Sequence, residues 1–348
     1  MRESPITSTL MTSMTSLPPW LRRFASKSAP WLGGAVSVAL LIAAAVVLRR
    51  ELAQVRFDQL AAALQAVPRG ALRDAFILTF LSYLALLGYD LAALRQIGAR
   101  APLARVALAS LASNTFAFTL GFPFLTGVAM RLWIYKRAGV SALQVANVTL
   151  VANIIFWLGV SGVLAAGLIF AAGPLAAFDH LPPALNFFLG AGGVALLVGY
   201  CAWAGRDRRR LRLFGREIGL PAPRTMIIKL AIGVADIGCA AATLYVLLPP
   251  ESQSAGFFAF GAIYVAAALS GGASNAPGGV GVFEAVMLGA LAAPSQEALL
   301  AALILFRVIY FLLPFTLAVL LLGAERGLGH FIEIFDSMRR TAVRREAS

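Results

Sequence analysis

The stretch Ser270-Gly-Gly-Ala-Ser-Asn-Ala-Pro277-Gly-Gly-Val-Gly281 decides how this chain is built. It interrupts an apolar segment, about 257 to 293, that is otherwise long enough to cross a membrane as helix. Helix does not run through it, because glycine favours non-helical backbone and proline removes a donor and clashes with the preceding turn. At membrane depth such backbone is tolerated only where it is buried in protein or lines a water-filled cavity. The segment therefore reads as a broken helical hairpin.

The rest of the sequence supports the membrane setting. Hydrophobic residues make up 60% and charged residues only 13%, against roughly a quarter charged in globular domains. Uncharged runs such as Val106 to Met130, Ser141 to Phe178, Leu181 to Gly205 and Ser252 to Phe283 exceed the roughly 18 residues that mark a spanning helix. The run from Trp31 to Leu48 is taken as a retained first span. Arg22-Arg23-Phe24 before it resembles a twin-arginine export signal only loosely, and no convincing cleavage site follows.

The net charge of +13 sits in short segments between the apolar runs, above all in Arg206, Arg208, Arg209, Arg210, Arg212 and Arg216. That is the positive-inside pattern. No aromatics interleave with these arginines as stacking platforms, so nucleic acid is not expected as a partner. Cys201 and Cys239 lie in apolar stretches without metal-binding or disulfide spacing, and no metal or cofactor is expected.

Tracing the charges gives spans at about 31–48, 71–94, 142–172, 186–204, 225–249 and 297–322. The segment after 104 lies between two basic, cytoplasmic marks, Arg95/Arg100/Arg105 and Arg131/Lys136/Arg137. It must enter and return from the same side, breaking at Gly121-Phe122-Pro123. The segment holding Ser270–Gly281 enters from the opposite side. The fold class is thus an all-α polytopic membrane protein, with six full spans and two opposed re-entrant hairpins. Residues 1–30 form a disordered cytoplasmic amino terminus, 31–325 a single transmembrane domain and 326–348 a basic cytoplasmic tail. Both termini are expected inside a bacterial-type inner membrane.

The two halves, 71–172 and 225–322, repeat at an offset of 154 residues. Pro123 falls on Pro277, Gly127-Val128 on Gly281-Val282, and Asn153-Ile-Ile-Phe-Trp-Leu158 on Arg307-Val-Ile-Tyr-Phe-Leu312. Opposed repeats with broken helices meeting near the midplane are the architecture of many transporters.

A charge at a helix centre costs about 2.5 to 3.5 kcal/mol on insertion scales, so each one retained needs a partner, a cavity or a substrate. The candidates are Glu284, Arg307, Arg131, Asp236 and Asp90, with Asn153 opposite Arg307 in the repeat. One arrangement is a polar chamber at the hairpin tips, with Arg131 and Arg307 on a phosphate and Glu284, Asp236 or Asp90 on a cationic head group. The plainer one makes Glu284 and Arg307 a structural pair and lets Arg131 and Asp90 snorkel to the interface. Gly278, Gly279 and Gly281, with the half-helix they open, form either an anion cradle or a packed turn. His180 and His330 lie in a loop and the tail, and no GxSxG, HExxH or Walker sequence occurs, so no enzymatic site is expected.

The run Ala276-Pro-Gly-Gly-Val-Gly-Val-Phe-Glu284, the Tyr89-Asp90 pair followed by Ala92-Ala-Leu-Arg95, and the stretch Gly127 to Arg131 resemble the transmembrane region of the lysylphosphatidylglycerol synthase, or MprF-like, family. The resemblance covers about 30 to 325. It implies a flippase that moves aminoacylated phosphatidylglycerol to the outer leaflet, lowering surface charge and repelling cationic antimicrobial peptides. The family's soluble aminoacyl-transferase domain has no counterpart before Ser348, so lipid synthesis is not expected. Thr126-Gly127 stands where the family pattern has a glycine pair, and Trp133 where it has a second basic residue. The implied substrate therefore widens to other lipids, hopanoids and glycolipid precursors among them. The expected partner is a membrane phospholipid. The alternative is a non-transporting subunit that scaffolds a separate lipid synthase or glycosyltransferase.

Overall fold

A computed structural model describes residues 67–120, 123–205, 210–213, 216–219, 223–274, 277–291 and 296–325. The expected span at 31–48, both termini, Gly121-Phe122 and part of the arginine cluster lie outside the described residues.

The first long helix, α1 (Arg69–Ile97), stops at Gly98, whose φ of 67° lets its N–H and that of Ala99 close on Arg95 and Leu94 carbonyls. α2 (Leu103–Leu120) and α3 (Pro123–Lys136) form the first hairpin. α4 (Ala142–Phe170) begins at a capping box, in which Ser141 Oγ accepts from Gln144 N–H and the Gln144 side chain accepts from Ser141 N–H. A short α5 (Ala172–Asp179) and the long α6 (Pro183–Gly205) follow. The basic connection then contains an antiparallel pair, β1 (Arg210–Leu213) and β2 (Arg216–Gly219), with Arg210 opposite Gly219. This small hairpin was not foreseen in an all-helical reading and leaves the class unchanged.

The second half opens with α7 (Pro223–Tyr245), then α8 (Gly256–Ala273), a 3₁₀ turn at Pro277–Gly279 and α9 (Val282–Ala290). α10 starts at Gln296, passes through a π-helical turn at Arg307–Leu312 and continues to Glu325. Six helices among the described residues are long and apolar enough to cross a membrane, α8 among them by length and composition. Phe76, Phe80, Phe170, Phe188, Leu196 and Leu320 point their side chains outward, Leu196 with 77% of its surface exposed. So much outward apolar surface is a liability in water and is neutral in lipid.

The repeat read from sequence is present in the backbone. Shifted by 154, the starts of α1, α2, α3 and α4 fall on or within one residue of those of α7, α8, the Pro277 turn and α10. Equivalent helices α1 and α7 pack together and run antiparallel: Ser82 meets Asp236, Gly88 meets Ile232 and Gln96 meets Lys229. Antiparallel equivalents are what an inverted repeat requires. Both ends of the first hairpin lie on one face, since Arg105 before the bulk of α2 and Arg137 after α3 each pair with Glu325 at the end of α10. The enter-and-return path deduced from charge is thus the one observed.

One contact locks the halves. Where α4 crosses α7, a Cβ on Gly159 would lie 2.3 Å from Gly233 O, and one on Gly233 would lie 2.4 Å from Ile155 O. Only glycine at both positions lets the two backbones approach this closely, the device that small residues supply in membrane helix packing.

Candidate functional site

Between the repeats lies a cavity of about 470 Å³, lined by α1, α2, α3, α4, α7, α8, the Pro277 turn, α9 and α10. Its wall is mostly apolar and aromatic, with Phe156, Trp157, Tyr264, Phe283, Phe306 and Phe311 contributing. Phe306 stacks on both Phe283 and Tyr310, at ring separations of 6.1 and 5.2 Å. Of the residues singled out by sequence, Arg131, Asp236, Asn153, Gly278, Gly279 and Arg307 line this cavity. Asp90 and Glu284 stand behind that lining as partners of Arg131 and Arg307, and Gly281 bonds to Glu284.

Asp90 and Arg131 form a closed ion pair. Arg131 Nη2 donates to Asp90 Oδ1 at 2.9 Å and Nε lies 3.2 and 3.3 Å from the two oxygens, while Tyr135 OH donates to Oδ2 at 2.9 Å. Asp90 is fully buried and Arg131 is 5% exposed. Of the two arrangements the sequence leaves open for these residues, both side chains are buried rather than snorkelling outward. The hairpin carries Arg131 inward against α1, and a carboxylate there is what lets a guanidinium lie buried. Gly127 lies one turn earlier on α3, where a Cβ would make ordinary contact with Arg131 Nη1 at 3.7 Å.

Glu284 and Arg307 also pair, Nε donating to Oε1 at 2.5 Å, with both side chains less than a fifth exposed. Each is tied into the glycine turn as well: Gly281 N–H donates to Glu284 Oε2 at 2.8 Å, and Arg307 Nη1 donates to Gly278 O at 3.2 Å. Positive φ at Gly278, Gly279 and Gly281 makes this turn possible. A Cβ on Gly279 would press to 3.1 Å on Gly271 Cα, so the turn packs directly on α8. The Gly281 amide, offered in the sequence reading to an external anion, is taken by the protein's own carboxylate.

Arg307 opens the π-helical turn, and the sequence explains why the helix is irregular there. Pro314 has no N–H to give the carbonyl of Tyr310 four residues earlier. That carbonyl instead accepts from Tyr83 OH at 3.1 Å, and Leu313 N–H reaches back five residues to Val308 O. π-turns of this kind recur at functional sites. Asn153, equivalent to Arg307 in the repeat, donates its amide to Thr149 O at 2.9 Å on the opposite wall.

Asp236 is held differently. Its Oδ1 accepts from Ser82 Oγ at 2.6 Å and its Oδ2 from Tyr89 OH at 2.9 Å. Behind Ser82, its hydroxyl lies 2.7 Å from Tyr310 OH. Sequence reasoning found Asp236 but missed Ser82, Tyr83, Tyr264 and Tyr310 as its surroundings. One signal was available: Ser82 stands at the 154-residue equivalent of Asp236, and Tyr89 lies two helical turns beyond Ser82 on the same face.

Comparison with known proteins fits this architecture. Residues 31–318 match the family model described as the lysylphosphatidylglycerol synthase TM region. An uncharacterized protein of Synechocystis sp., slr0712, is 31% identical over 306 residues, covering 85% of this chain and 92% of that one. The inner membrane protein YbhN of Escherichia coli is 28% identical, over 88% of this chain and 93% of its own length. A phosphatidylglycerol lysyltransferase of Staphylococcus haemolyticus is 26% identical over 83% of this chain, which spans 33% of that protein. With its broken hairpins, internal repeat and matched length, the chain is a multi-pass membrane protein that belongs to the lysylphosphatidylglycerol synthase transmembrane-region family.

Proposed function

We propose that the protein moves a phospholipid between leaflets, the head group passing through the cavity between the repeats while the acyl chains stay in surrounding lipid. The observation that carries this reading is one cavity bounded by both repeats and by the glycine turn of the second hairpin, apolar over most of its wall and edged by Arg131, Arg307, Asn153 and Asp236. Its volume of about 470 Å³ lies within the roughly 300–1,000 Å³ of small-molecule sites. That range suits a polar head group.

A guanidinium has five N–H donors. The bonds to Asp90 use Nε and Nη2 of Arg131, and those to Glu284 and Gly278 use Nε and Nη1 of Arg307. The remaining donors suit a lipid phosphate, which accepts from arginine in fork geometry. In this reading the paired carboxylates keep both arginines in place and limit the net charge between passages.

The test is leaflet exchange of nitrobenzoxadiazole-labelled phosphatidylglycerol, lysylphosphatidylglycerol and phosphatidylethanolamine in proteoliposomes containing only this protein, read by dithionite quenching. At least one probe is expected to exchange faster than in empty vesicles. Rates equal to empty vesicles for all three would refute transport and favour a subunit that holds a lipid synthase in the membrane.

A further inference from the structure

Of the three acids at or behind the cavity wall, Asp90 and Glu284 each hold an arginine. Asp236, 3% exposed, has no ion pair among the described residues; its partners are the hydroxyls of Ser82 and Tyr89. Around it stand Tyr83 and Tyr89 on α1, Cys239 on its own helix, Tyr264 on α8 and Tyr310 on α10. α4 carries no ionisable side chain, and Arg131 and Arg307, both already paired, line the same cavity. Two hydroxyl partners are too few for Ca²⁺, which takes six to eight oxygen ligands.

The position is as telling as the chemistry. Ser82 and Asp236 are equivalent residues of the two repeats, and they touch. In a pair of units related by a two-fold axis, equivalent residues meet only on that axis. Asp236 therefore sits where one repeat would turn against the other, the motion by which inverted-repeat transporters alternate access.

We infer that Asp236 carries the coupling proton of this transporter, a step that rests on the transport reading above. The carboxylate takes one proton from one side, forming an O–H bond, and returns it to the other; no electrons move. The hydroxyl chain responds to that proton. With Asp236 ionised, Ser82 gives its single hydrogen to Oδ1, so Tyr310 must be the donor to Ser82. With Oδ1 protonated, the carboxyl donates to Ser82, Ser82 donates to Tyr310, and the Tyr310 hydrogen is released toward the cavity. Because Tyr310 belongs to the π-turn that Arg307 opens, the proton is read at the wall that meets the head group.

The experiment uses the full chain in vesicles of phosphatidylcholine and phosphatidylglycerol, with labelled phosphatidylglycerol as probe. Membrane potential is clamped by valinomycin and equal potassium, and a one-unit pH gradient is imposed. At one proton per lipid, the steady-state ratio of label between leaflets is expected to move up to tenfold from unity, since one pH unit is a tenfold ratio in proton activity. Asp236→Asn keeps the size and acceptor oxygen and is expected to bring the ratio back to about one. Tyr310→Phe, which cuts the relay beyond Ser82, is expected to lower it. An enclosed pH dye should report proton flux only when the lipid probe is present. Accelerated exchange with equal leaflets under the gradient would overturn proton coupling and leave transport standing, as would an undiminished ratio in a monodisperse Asp236→Asn protein. Exchange no faster than in empty vesicles would remove both.

Discussion

Replacing Asp90 by Asn tests how the first hairpin is held. The change keeps shape and removes one charge, leaving Arg131, 5% exposed, facing an amide instead of a carboxylate. Breaking a buried pair from one side costs about 3–5 kcal/mol, because a buried charge is left uncompensated. Arg131→Gln strands the carboxylate instead and falls in the same range. Asp90→Asn with Arg131→Gln removes both charges and offers an amide pair, so it should cost less than either single change, with a coupling of at least about 3 kcal/mol, the size of one single change. Tyr135→Phe removes only the hydroxyl bond to Asp90 Oδ2, worth about 1.5–3 kcal/mol for a charged acceptor. The assay is reversible unfolding in mixed micelles by titration with dodecyl sulfate, followed by tryptophan fluorescence. Single variants within about 0.5 kcal/mol of wild type, the range of ordinary surface changes, would refute the claim that this pair is buried and hairpin-locking. So would simple additivity in the double variant.

Glu284→Gln is expected to reduce lipid exchange at least tenfold while the protein stays monodisperse, because the amide keeps an acceptor for the Gly281 N–H and loses its charge on Arg307; loss of folded protein instead would make that pair purely structural. Gly233→Ala forces a methyl to within 2.4 Å of Ile155 O and should cost about 1–3 kcal/mol as overpacking, measured by the same unfolding titration. Glu325→Gln, which breaks the partly exposed pairs with Arg105 and Arg137, should cost about 1 kcal/mol or less.

The architecture was legible because its signals are coarse and physical. Hydrophobic length placed helices at 71–94 and 142–172, and the structure has them at Arg69–Ile97 and Ala142–Phe170. Pro277 and its glycines announced a break that no neighbouring residue can heal, and charge on both flanks of 104–131 forced the first hairpin to return. The pairings were less legible. Asp90 and Arg131 are 41 residues apart, and in an all-apolar helix no amphipathic stripe says which face turns inward. For that reason the sequence leaves two arrangements open for Asp90 and Arg131, a chamber at the hairpin tips or an interfacial position near helix ends. The hydroxyl cluster around Asp236 was missed because serine and tyrosine carry no cost signal of their own in a membrane helix. Pro314 was a signal left unread: a proline in the last span frees one carbonyl, and Tyr83 is the donor that finds it.

If a lipid head group passes through the cavity between the repeats, plugging that cavity must stop it. In a background with Cys201 and Cys239 replaced, a cysteine at Asn153 on the cavity wall is labelled with a bulky maleimide, and one at Leu196 on the outer surface serves as control. Exchange of labelled phosphatidylglycerol in proteoliposomes is then measured before and after labelling. Labelling at 153 is expected to bring exchange down to the rate of empty vesicles, while labelling at 196 leaves it unchanged. Undiminished exchange with the cavity plugged would contradict passage through it.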